Sequence, residues 1–447
     1  MNRIIILFIA LCCIAACKKP LSSPYPSDTY FRAYGNIPLD ISNGNYSDYL
    51  NAGPIVSDPT GNMYFSYFPR GVNGISGPLS LIKADKNGNI IWNKNYFSFT
   101  TYGEASFYGN TYSDNFICNG QTLFLLGLDT TGNWTILKFN CSDGQYIGQV
   151  PLAGLLPANG TVGSLWFGTG GISLATQGNI FVYGSYSQTA GGATSPVLSL
   201  IDPQGNVTWT KSNYPDSLNG SSDGEYGSCI YQYNDGSGSF EFGTLIGRAY
   251  NITADSETIS TTMVFYHMDN SGNVLQEDSM LAGTNVFYLN TYVTKYYNWT
   301  GYIYRYFVFP SPTGGFIIVA DEWDEYNYMR IKIIKTGISF VATDSTYISI
   351  ANGSVGITGV AQEADGTIAV SATENLTVMK NVFSFLYEIK SNLAVTGKQI
   401  GLSSQSLYIS GINVTNDGYI LMNGQMQDYG LDTNHLFIIK ADGNGHY

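Results

Sequence analysis

The sequence predicts an all-β fold, a β-propeller of about seven four-stranded antiparallel blades, and three observations support it. An apolar strand, an Asp, a Gly turn and a second strand recur at residues 79–92, 197–209, 263–275 and 435–444. A second tight turn, followed by aromatic or β-branched residues, recurs between these copies, as at residues 58–65. Beyond the N-terminal segment, no stretch shows sustained 3.6-residue periodicity with helix caps. Tandem units that each supply four strands are typical of propeller blades.

Each recurring turn has a local physical explanation. In residues 85–89 the Asp85 side chain can accept hydrogen bonds from the backbone two residues on, and Gly88 can adopt the positive φ of a tight hairpin. An acid that recurs in every unit indicates a structural role, because a catalytic acid is needed only once. Calcium binding by residues 85–89 is the alternative, although the loop lacks the acidic run and the distal Glu that Ca²⁺ prefers. The residues assigned to turns or to docking are Asp85, Gly88, Trp92, Asp202, Gly205, Trp209, Asp269, Gly272 and Asp442.

The two ends of the repeat region predict how the ring closes. The last unit stops at residues 442–447, where its outer strand should begin. Residues 29–34 have strand composition and precede the first unit. We therefore predict that this N-terminal segment supplies the missing outer strand, which removes both free sheet edges.

The N-terminus is predicted to be a targeting segment. Arg3 gives a positive start, residues 4–14 form a short apolar run, and small residues precede Cys17. The run is too short to span a bilayer and resembles a bacterial lipoprotein signal, with Cys17 as the lipidated residue. An ordinary signal peptide with an incidental Cys is the alternative. The expected organisation is a signal peptide at 1–16, a Pro- and Ser-rich tether at 17–27 and a propeller domain at 28–447.

Composition excludes some partners. With 20 Lys+Arg and 33 Asp+Glu the net charge is −13, and the isoelectric point is about 4.5. Nucleic-acid binding needs a basic face, and electrostatic docking on anionic lipid needs basic clusters. We therefore predict no nucleic-acid partner and a membrane link through the N-terminal lipid alone.

Six Cys are present, of which Cys118, Cys141 and Cys229 follow the lipidation site. Cys118 and Cys141 lie in one repeat and could pair in an oxidising compartment, and buried free thiols are the alternative. No Cys-x-x-Cys occurs, so neither a zinc site nor a redox motif is predicted.

One acidic and aromatic cluster differs from the repeats and is the predicted ligand site. It comprises Asp321, Glu322, Trp323, Asp324, Glu325, Tyr326 and Tyr328. Carboxylates beside an aromatic platform suit sugar binding or a paired-carboxylate glycosidase, and a solvated loop is the alternative. His267 and His435 are predicted to be strand residues with local hydrogen bonds. No catalytic residue and no metal site is predicted, because nucleophilic catalysis needs a Ser or Cys with a His and a second, orienting acid, and no such constellation is recognised around these His residues.

The repeats resemble those of PQQ-like and SBBP-type β-propeller proteins. Two motifs carry the resemblance, Asp-x-x-Gly-Asn-x-Tyr/Phe-Val and Lys-x-Asp-x-x-Gly-Asn-x-x-Trp, over nearly the whole mature chain. Together with Cys17, the chain looks like the propeller lipoproteins of the Bacteroidetes. The resemblance implies that Trp92 and Trp209 dock blade against blade. Quinoprotein dehydrogenases add an adjacent Cys pair, and the one such pair here, Cys12 and Cys13, lies in the signal peptide, so no cofactor is predicted.

These observations favour a lipid-anchored, non-enzymatic interaction module of the cell envelope, attached to the outer membrane on a face that the sequence leaves open. The expected partner is an envelope protein or a glycan. A carbohydrate-binding or carbohydrate-cleaving propeller is the first alternative, and a degenerate quinoprotein-like relative is the second. Function is expected where the units differ, at residues 288–301 and 321–328.

Overall fold

The chain folds into seven sheets, each of four antiparallel strands, which confirms the predicted propeller and its blade count. The computed structural model describes residues 29–34, 46–71, 79–96, 116–128, 134–152, 164–187, 194–212, 225–233, 237–250, 256–288, 303–324, 328–351, 353–376, 382–401, 405–428, 433–443 and 445–447. The predicted signal peptide and the predicted tether both lie outside these ranges. Within them, no helix is long and apolar enough to cross a membrane.

The strands follow one another in blade order. They are β1 (Tyr30–Tyr34); β2 (Tyr46–Ser57), β3 (Met63–Gly71), β4 (Leu79–Ala84) and β5 (Ile90–Tyr96); β6 (Phe116–Cys118), β7 (Thr122–Leu128), β8 (Trp134–Asn140) and β9 (Tyr146–Pro151); β10 (Ser164–Leu174), β11 (Ile180–Ser187), β12 (Thr194–Ile201) and β13 (Val207–Lys211); β14 (Glu225–Gln232), β15 (Phe240–Tyr250), β16 (Ser256–Met268) and β17 (Val274–Tyr288); β18 (Ile303–Pro310), β19 (Phe316–Trp323), β20 (Met329–Thr336) and β21 (Ala342–Ile348); β22 (Gly353–Gln362), β23 (Ile368–Leu376), β24 (Val382–Ile389) and β25 (Val395–Ile400); and β26 (Gln405–Val414), β27 (Ile420–Asp428) and β28 (Thr433–Ala441).

The ring closes through β1, as the sequence predicts. The last sheet has the order β1-β28-β27-β26, so the N-terminal segment is its outer strand. β1 pairs antiparallel to β28 from Tyr30 opposite Lys440 to Tyr34 opposite Leu436. Phe31 stacks on Phe437 with ring centroids 5.7 Å apart, which adds apolar contact to the backbone ladder.

Because consecutive strands alternate in direction, the connections fall on two faces of the ring. The turn face carries the links between first and second strands and between third and fourth strands, such as 58–62 and 85–89. The connection face carries the links between second and third strands and the links from blade to blade. The turn-face links are tight hairpins; in one, the Gly61 N–H donates to the Asp58 carbonyl over 3.0 Å.

The core lies between the blades. All residues of β19 except Trp323 are buried, whereas most of the outer strand β21 is exposed. A central strand is covered on both sheet surfaces by neighbouring blades, so it reads as a continuous apolar run. Aromatic stacking joins the blades as well: the ring of Phe340 lies 3.8 Å from Phe265 of the fourth blade and 4.4 Å from Phe316 of its own, centroid to centroid.

Candidate functional site

The predicted ligand cluster lies at the connection face of the fifth blade, partly in strand and partly in loop. β19 extends through Trp323, so Asp321 and Glu322 belong to the sheet and not to the loop in which the sequence predicts them. Asp324 and Tyr328 flank the link to β20. Glu325 and Tyr326 lie outside the described residues.

The Asp321 carboxylate joins two blades. Its side chain is buried, and its Oδ1 accepts a hydrogen bond of 2.9 Å from the backbone N–H of Ile357. Ile357 lies in β22, the inner strand of the next blade. A buried carboxylate bonded to a backbone donor stabilises the blade interface.

Among the described acids of the cluster, Glu322 is the most deeply buried, with 1% of its surface exposed. Its Oε2 accepts from Arg330 over 2.7 Å, and its Oε1 accepts from Lys332 over 2.6 Å. Arg330 in turn lies over the Tyr347 ring, 4.1 Å from its centroid. Both cations come from the neighbouring strand β20, so both carboxylate oxygens of Glu322 are committed to cross-strand ion pairs.

The remaining described members of the cluster are half-buried. Asp324 closes the loop: its Oδ1 accepts from the Tyr328 N–H, and its own N–H donates to the Tyr328 carbonyl, each over 2.8 Å. Trp323 and Tyr328 are part-exposed aromatic side chains at this edge. The ligand-binding role of the cluster stays a prediction, which now centres on these two side chains.

The recurring acids cap turns on the turn face. Asp85 Oδ1 accepts from the Asn87 and Asn89 N–H groups, each over 2.8 Å, and its Oδ2 accepts from the Asn89 side chain. Asp442 accepts from the His446 N–H over 2.8 Å in the same way. These are the local bonds that stabilise an Asx turn.

The hydrogen bonds in these turns also change the acidity of their carboxyls. The side chain and the backbone of Asn206 lower the pKa of Asp202. The backbone N–H of Asn273, followed by its side chain, lowers the pKa of Asp269. Donors that favour the charged form keep these turn acids ionised.

The tryptophans pack on the glycine turn of the next blade. A Cβ on Gly144, which has φ +73°, would lie 3.0 Å from the Trp92 ring. A Cβ on Gly272, with φ +76°, would lie 3.0 Å from the Trp209 ring. The Trp209 indole N–H also donates to the Asn270 carbonyl over 3.1 Å. Each of these turns therefore requires glycine for two reasons: the backbone has a positive φ, and the tryptophan ring leaves no room for a Cβ.

The two remaining docking glycines meet other side chains. Gly88 faces Tyr30 and Arg32 of the closing strand β1, so the seventh blade docks on the first blade through the N-terminal segment. Gly205 faces Val150 of the second blade. The glycine turn is thus a general blade contact in which the residue opposite it varies.

A narrow axial channel of about 300 Å³ opens among the turn-face ends of the inner strands. Its lining combines aliphatic and aromatic residues with Ser57, Ser173 and Asn413 and with two cysteines, Cys118 and Cys229. Ser57 donates to Asn413 Oδ1 over 3.3 Å across the first and seventh blades. The described residues that line the channel include no Asp or Glu.

Sequence reasoning missed a polar cluster on the turn-face side of the fourth blade. The buried Glu241 accepts from Tyr233 Oη over 2.6 Å and lies 2.8 Å from His267 Nδ1. Burial raises the pKa of Glu241 against the opposing effect of these two hydrogen bonds. The sequence does contain a sign of this cluster: Glu241 lies between Phe240 and Phe242 in a strand, and an acid buried in such a strand requires a polar partner. Within the described ranges, no group of three or more His, Cys, Asp or Glu side chains could hold a metal ion.

Comparisons with known proteins describe the fold. No family model and no curated protein matches the chain. The propeller domain of the Trilobed protease from Pyrococcus furiosus is 9% identical, with 89% of this chain and 94% of that chain covered and a TM-score of 0.43. A PL25 ulvan lyase is 11% identical, with 89% and 96% covered and a TM-score of 0.45. A putative 6-phosphogluconolactonase from Bacteroides fragilis is 10% identical, with 88% and 95% covered and a TM-score of 0.36. At these identities the likeness concerns the fold alone.

Proposed function

We propose that the chain is a lipid-anchored, non-enzymatic propeller of the cell envelope that binds a partner protein with its connection face. One observation carries the proposal: the chain enters the ring at the turn face, and its long links emerge at the opposite face. An anchor on the entering segment therefore leaves the connection face directed away from the membrane.

The direction of β1 defines the entry point. Tyr30 pairs with Lys440, two residues before the turn at 442–446, and the strand then runs toward the connection face. The tether that precedes Tyr30 therefore joins the ring on the turn-face side. At about 3.5 Å per extended residue, residues 17–28 reach about 40 Å at most, which holds the ring close to the bilayer.

Length and composition support the connection face as the binding surface. Three of its links, residues 97–115, 213–224 and 289–302, are much longer than the tight hairpins of the turn face. They are rich in Tyr, Asn, Ser and Gly, which make adaptable contacts in binding surfaces. These links lie outside the described residues, so the support comes from their sequence and from the strands that they join.

The acids Asp321 and Glu322 of the predicted ligand cluster and the acids of the repeated turns have structural contacts, which supports a non-enzymatic role. Asp321 is bonded to a neighbouring blade, and Glu322 is bonded to two cations. Asp85 and its counterparts are held in turns. A general acid or base needs a free proton-accepting atom within reach of a substrate. The contacts given above place these carboxylates in blade contacts and turns.

The anchor is tested by membrane fractionation of a Cys17→Ala variant. Wild-type protein is expected in the membrane fraction with an added acyl mass, and the variant is expected in the soluble fraction without it. Equal partition of the two proteins would contradict the anchor while leaving the binding proposal open to its own test.

The binding face is tested by cross-linked capture of envelope proteins. Replacing residues 213–224 with a short Gly-Ser link should abolish capture of a defined partner. The matched control is Ile338→Ser on the turn face, where the side chain is 79% exposed, and it should leave capture unchanged. Loss of capture in the control alone would place the binding surface on the other face.

A glycan is the second candidate ligand, favoured by the part-exposed Trp323 and Tyr328 at the same face. Aromatic faces beside polar groups stack on sugar rings. Binding on a glycan array that is lost in Trp323→Ala and kept in Ile338→Ser would favour this candidate over a protein partner.

A further inference from the structure

Two thiols lie within contact distance in the second blade. The Sγ atoms of Cys118 and Cys141 are 3.5 Å apart, and both residues are free cysteines. Cys118 ends the inner strand β6 and is half-buried on the wall of the axial channel. Cys141 is buried in the turn between β8 and β9.

The backbone around Cys141 is fixed on both sides. Its N–H donates to the Gln121 carbonyl over 2.8 Å. Its carbonyl accepts from Lys83 Nζ over 3.1 Å and from Tyr64 Oη over 3.4 Å, both in the first blade. The position of the Cys141 thiol is therefore set by two blades and does not depend on the thiol contact itself.

The surroundings give the two thiols different roles. The contact with the Cys141 thiol, aided by the Gly120 N–H at 3.3 Å, lowers the pKa of Cys118. The same contact, together with burial, raises the pKa of Cys141. The thiolate is the reactive form of cysteine, so the more exposed Cys118 is the attacking thiol and Cys141 is the resolving thiol.

We propose that Cys118 and Cys141 form a disulfide in the folded protein. The Sγ atoms, 3.5 Å apart, must approach to about 2.0 Å, the length of a disulfide bond. The pairing ties the inner strand of a blade to the turn between its two outermost strands. Cys229 lies in the fourth blade and keeps its thiol.

The oxidant is a second disulfide, either of a low-molecular-weight thiol or of a thiol–disulfide exchange protein. The Cys118 thiolate attacks one sulfur of that disulfide, forms a mixed disulfide and releases one thiolate. Cys141 loses its proton to solvent and attacks Cys118 Sγ, which forms the protein disulfide and releases the second thiolate. Two protein thiols are oxidised by two electrons, and the oxidant takes up both electrons and ends as two thiols.

The bond would secure a short strand. β6 has three residues and three register pairs with β7, and it follows the long link 97–115. A covalent tie at its last residue opposes local opening of β6 toward the channel. Local opening of this kind is read directly by amide hydrogen exchange.

The pairing is tested on the purified full chain incubated with oxidised glutathione, then acid-quenched, unfolded and alkylated before peptide mass analysis. The expected product is a linked peptide pair containing Cys118 and Cys141, about 2 Da lighter than the two free peptides. Cys229 should be alkylated in every sample. Alkylation of all three thiols, or glutathione retained on Cys118, would overturn the proposal.

Variants and hydrogen exchange separate the pairing from a general folding defect. Cys118→Ser and Cys141→Ser should each abolish the linked pair, and Cys229→Ser should retain it. In wild-type protein, oxidation should slow amide exchange in residues 116–121 by about tenfold and leave the fourth blade unchanged. If the disulfide forms but exchange in this segment is unchanged, the bond does not oppose local opening of β6, and that part of the proposal is overturned. This comparison uses wild-type protein only, so it does not depend on the folding of any variant.

Discussion

At the scale of single residues, Glu322 illustrates how a charge is kept inside a blade. Two cations on β20 bind its two oxygens, and the Tyr347 ring covers one of those cations. Glu322→Gln removes the charge and weakens both contacts. We expect the free energy of unfolding to fall by about 2 kcal/mol, because hydrogen bonds to charged groups are worth more than neutral ones.

Urea unfolding of the full chain measures this loss. The exposed Asp344 on β21 provides the matched control, and Asp344→Asn should change the midpoint little. Equal midpoints for Glu322→Gln and wild type would contradict the structural assignment of Glu322.

Glu363 gives a prediction for pH. Burial, and then the carboxylates of Asp365, Glu388 and Asp442, raise the pKa of Glu363 from 4.5 to about 7. The folded state holds a proton that an unfolded Glu has released, so this group stabilises the fold fully below about pH 4.5 and loses that contribution as pH rises to about 7. Glu363→Gln should therefore show a smaller loss of stability than wild type between these two pH values, measured by urea midpoints. Parallel pH profiles for the two proteins would contradict the raised pKa.

The residue scale is also where sequence reasoning was weakest. The sequence singles out Asp321 and Glu322 because they depart from the repeat. Their partners, Ile357, Arg330 and Lys332, become neighbours only after strand pairing and ring closure. The sequence therefore does not distinguish an acidic pair that faces a ligand from one that pairs with a buried cation.

At the scale of elements, the hairpin turns were predictable and the blade contacts less so. A turn of Asp, Gly and Asn is determined by bonds within five residues, so its sequence suffices. The contact of Trp209 with Gly272 joins two blades and depends on the ring geometry. The docking role of Trp209 was predicted only from the family resemblance.

Two glycines test the blade contact as a matched pair. Gly272 and Gly314 both have positive φ in turn-face hairpins, but a Cβ on Gly272 meets Trp209 and a Cβ on Gly314 meets no atom within 4 Å. Both Ala variants carry the same backbone strain. Gly272→Ala should cost about 1 kcal/mol more than Gly314→Ala, because only the former displaces a packed ring. Equal losses in urea unfolding would show that Trp209 does not restrict the turn.

At the scale of the whole molecule, ring closure was predictable from the two chain ends. The last unit lacks an outer strand, and the segment before the first unit has the composition of a strand without a blade. The structure joins the two, because β1 pairs with β28. The proposed binding partner cannot be predicted in the same way, because the links of the connection face share no repeat.

Deletion of residues 28–36 tests the closure. The deletion removes β1, its ladder to β28 and the side chains that face Gly88. The melting temperature should fall sharply, because the deletion exposes the edge of β28 and also removes the contact between the seventh blade and Gly88 of the first blade. Shortening residues 213–224, which lie between blades, is the comparison and should lower it far less. An unchanged melting temperature in the deletion would contradict closure by the N-terminal strand.

Depth-dependent fluorescence quenching is the most direct test of the proposed orientation, in which the anchored ring presents its connection face away from the membrane. The lipidated full chain is placed on vesicles that carry a quencher on the lipid headgroups, with a fluorophore at position 338 on the turn face or at position 351 on the connection face; both positions are exposed. We expect strong quenching of the fluorophore at position 338 and weak quenching of the fluorophore at position 351. Stronger quenching at Ala351 than at Ile338 would contradict it.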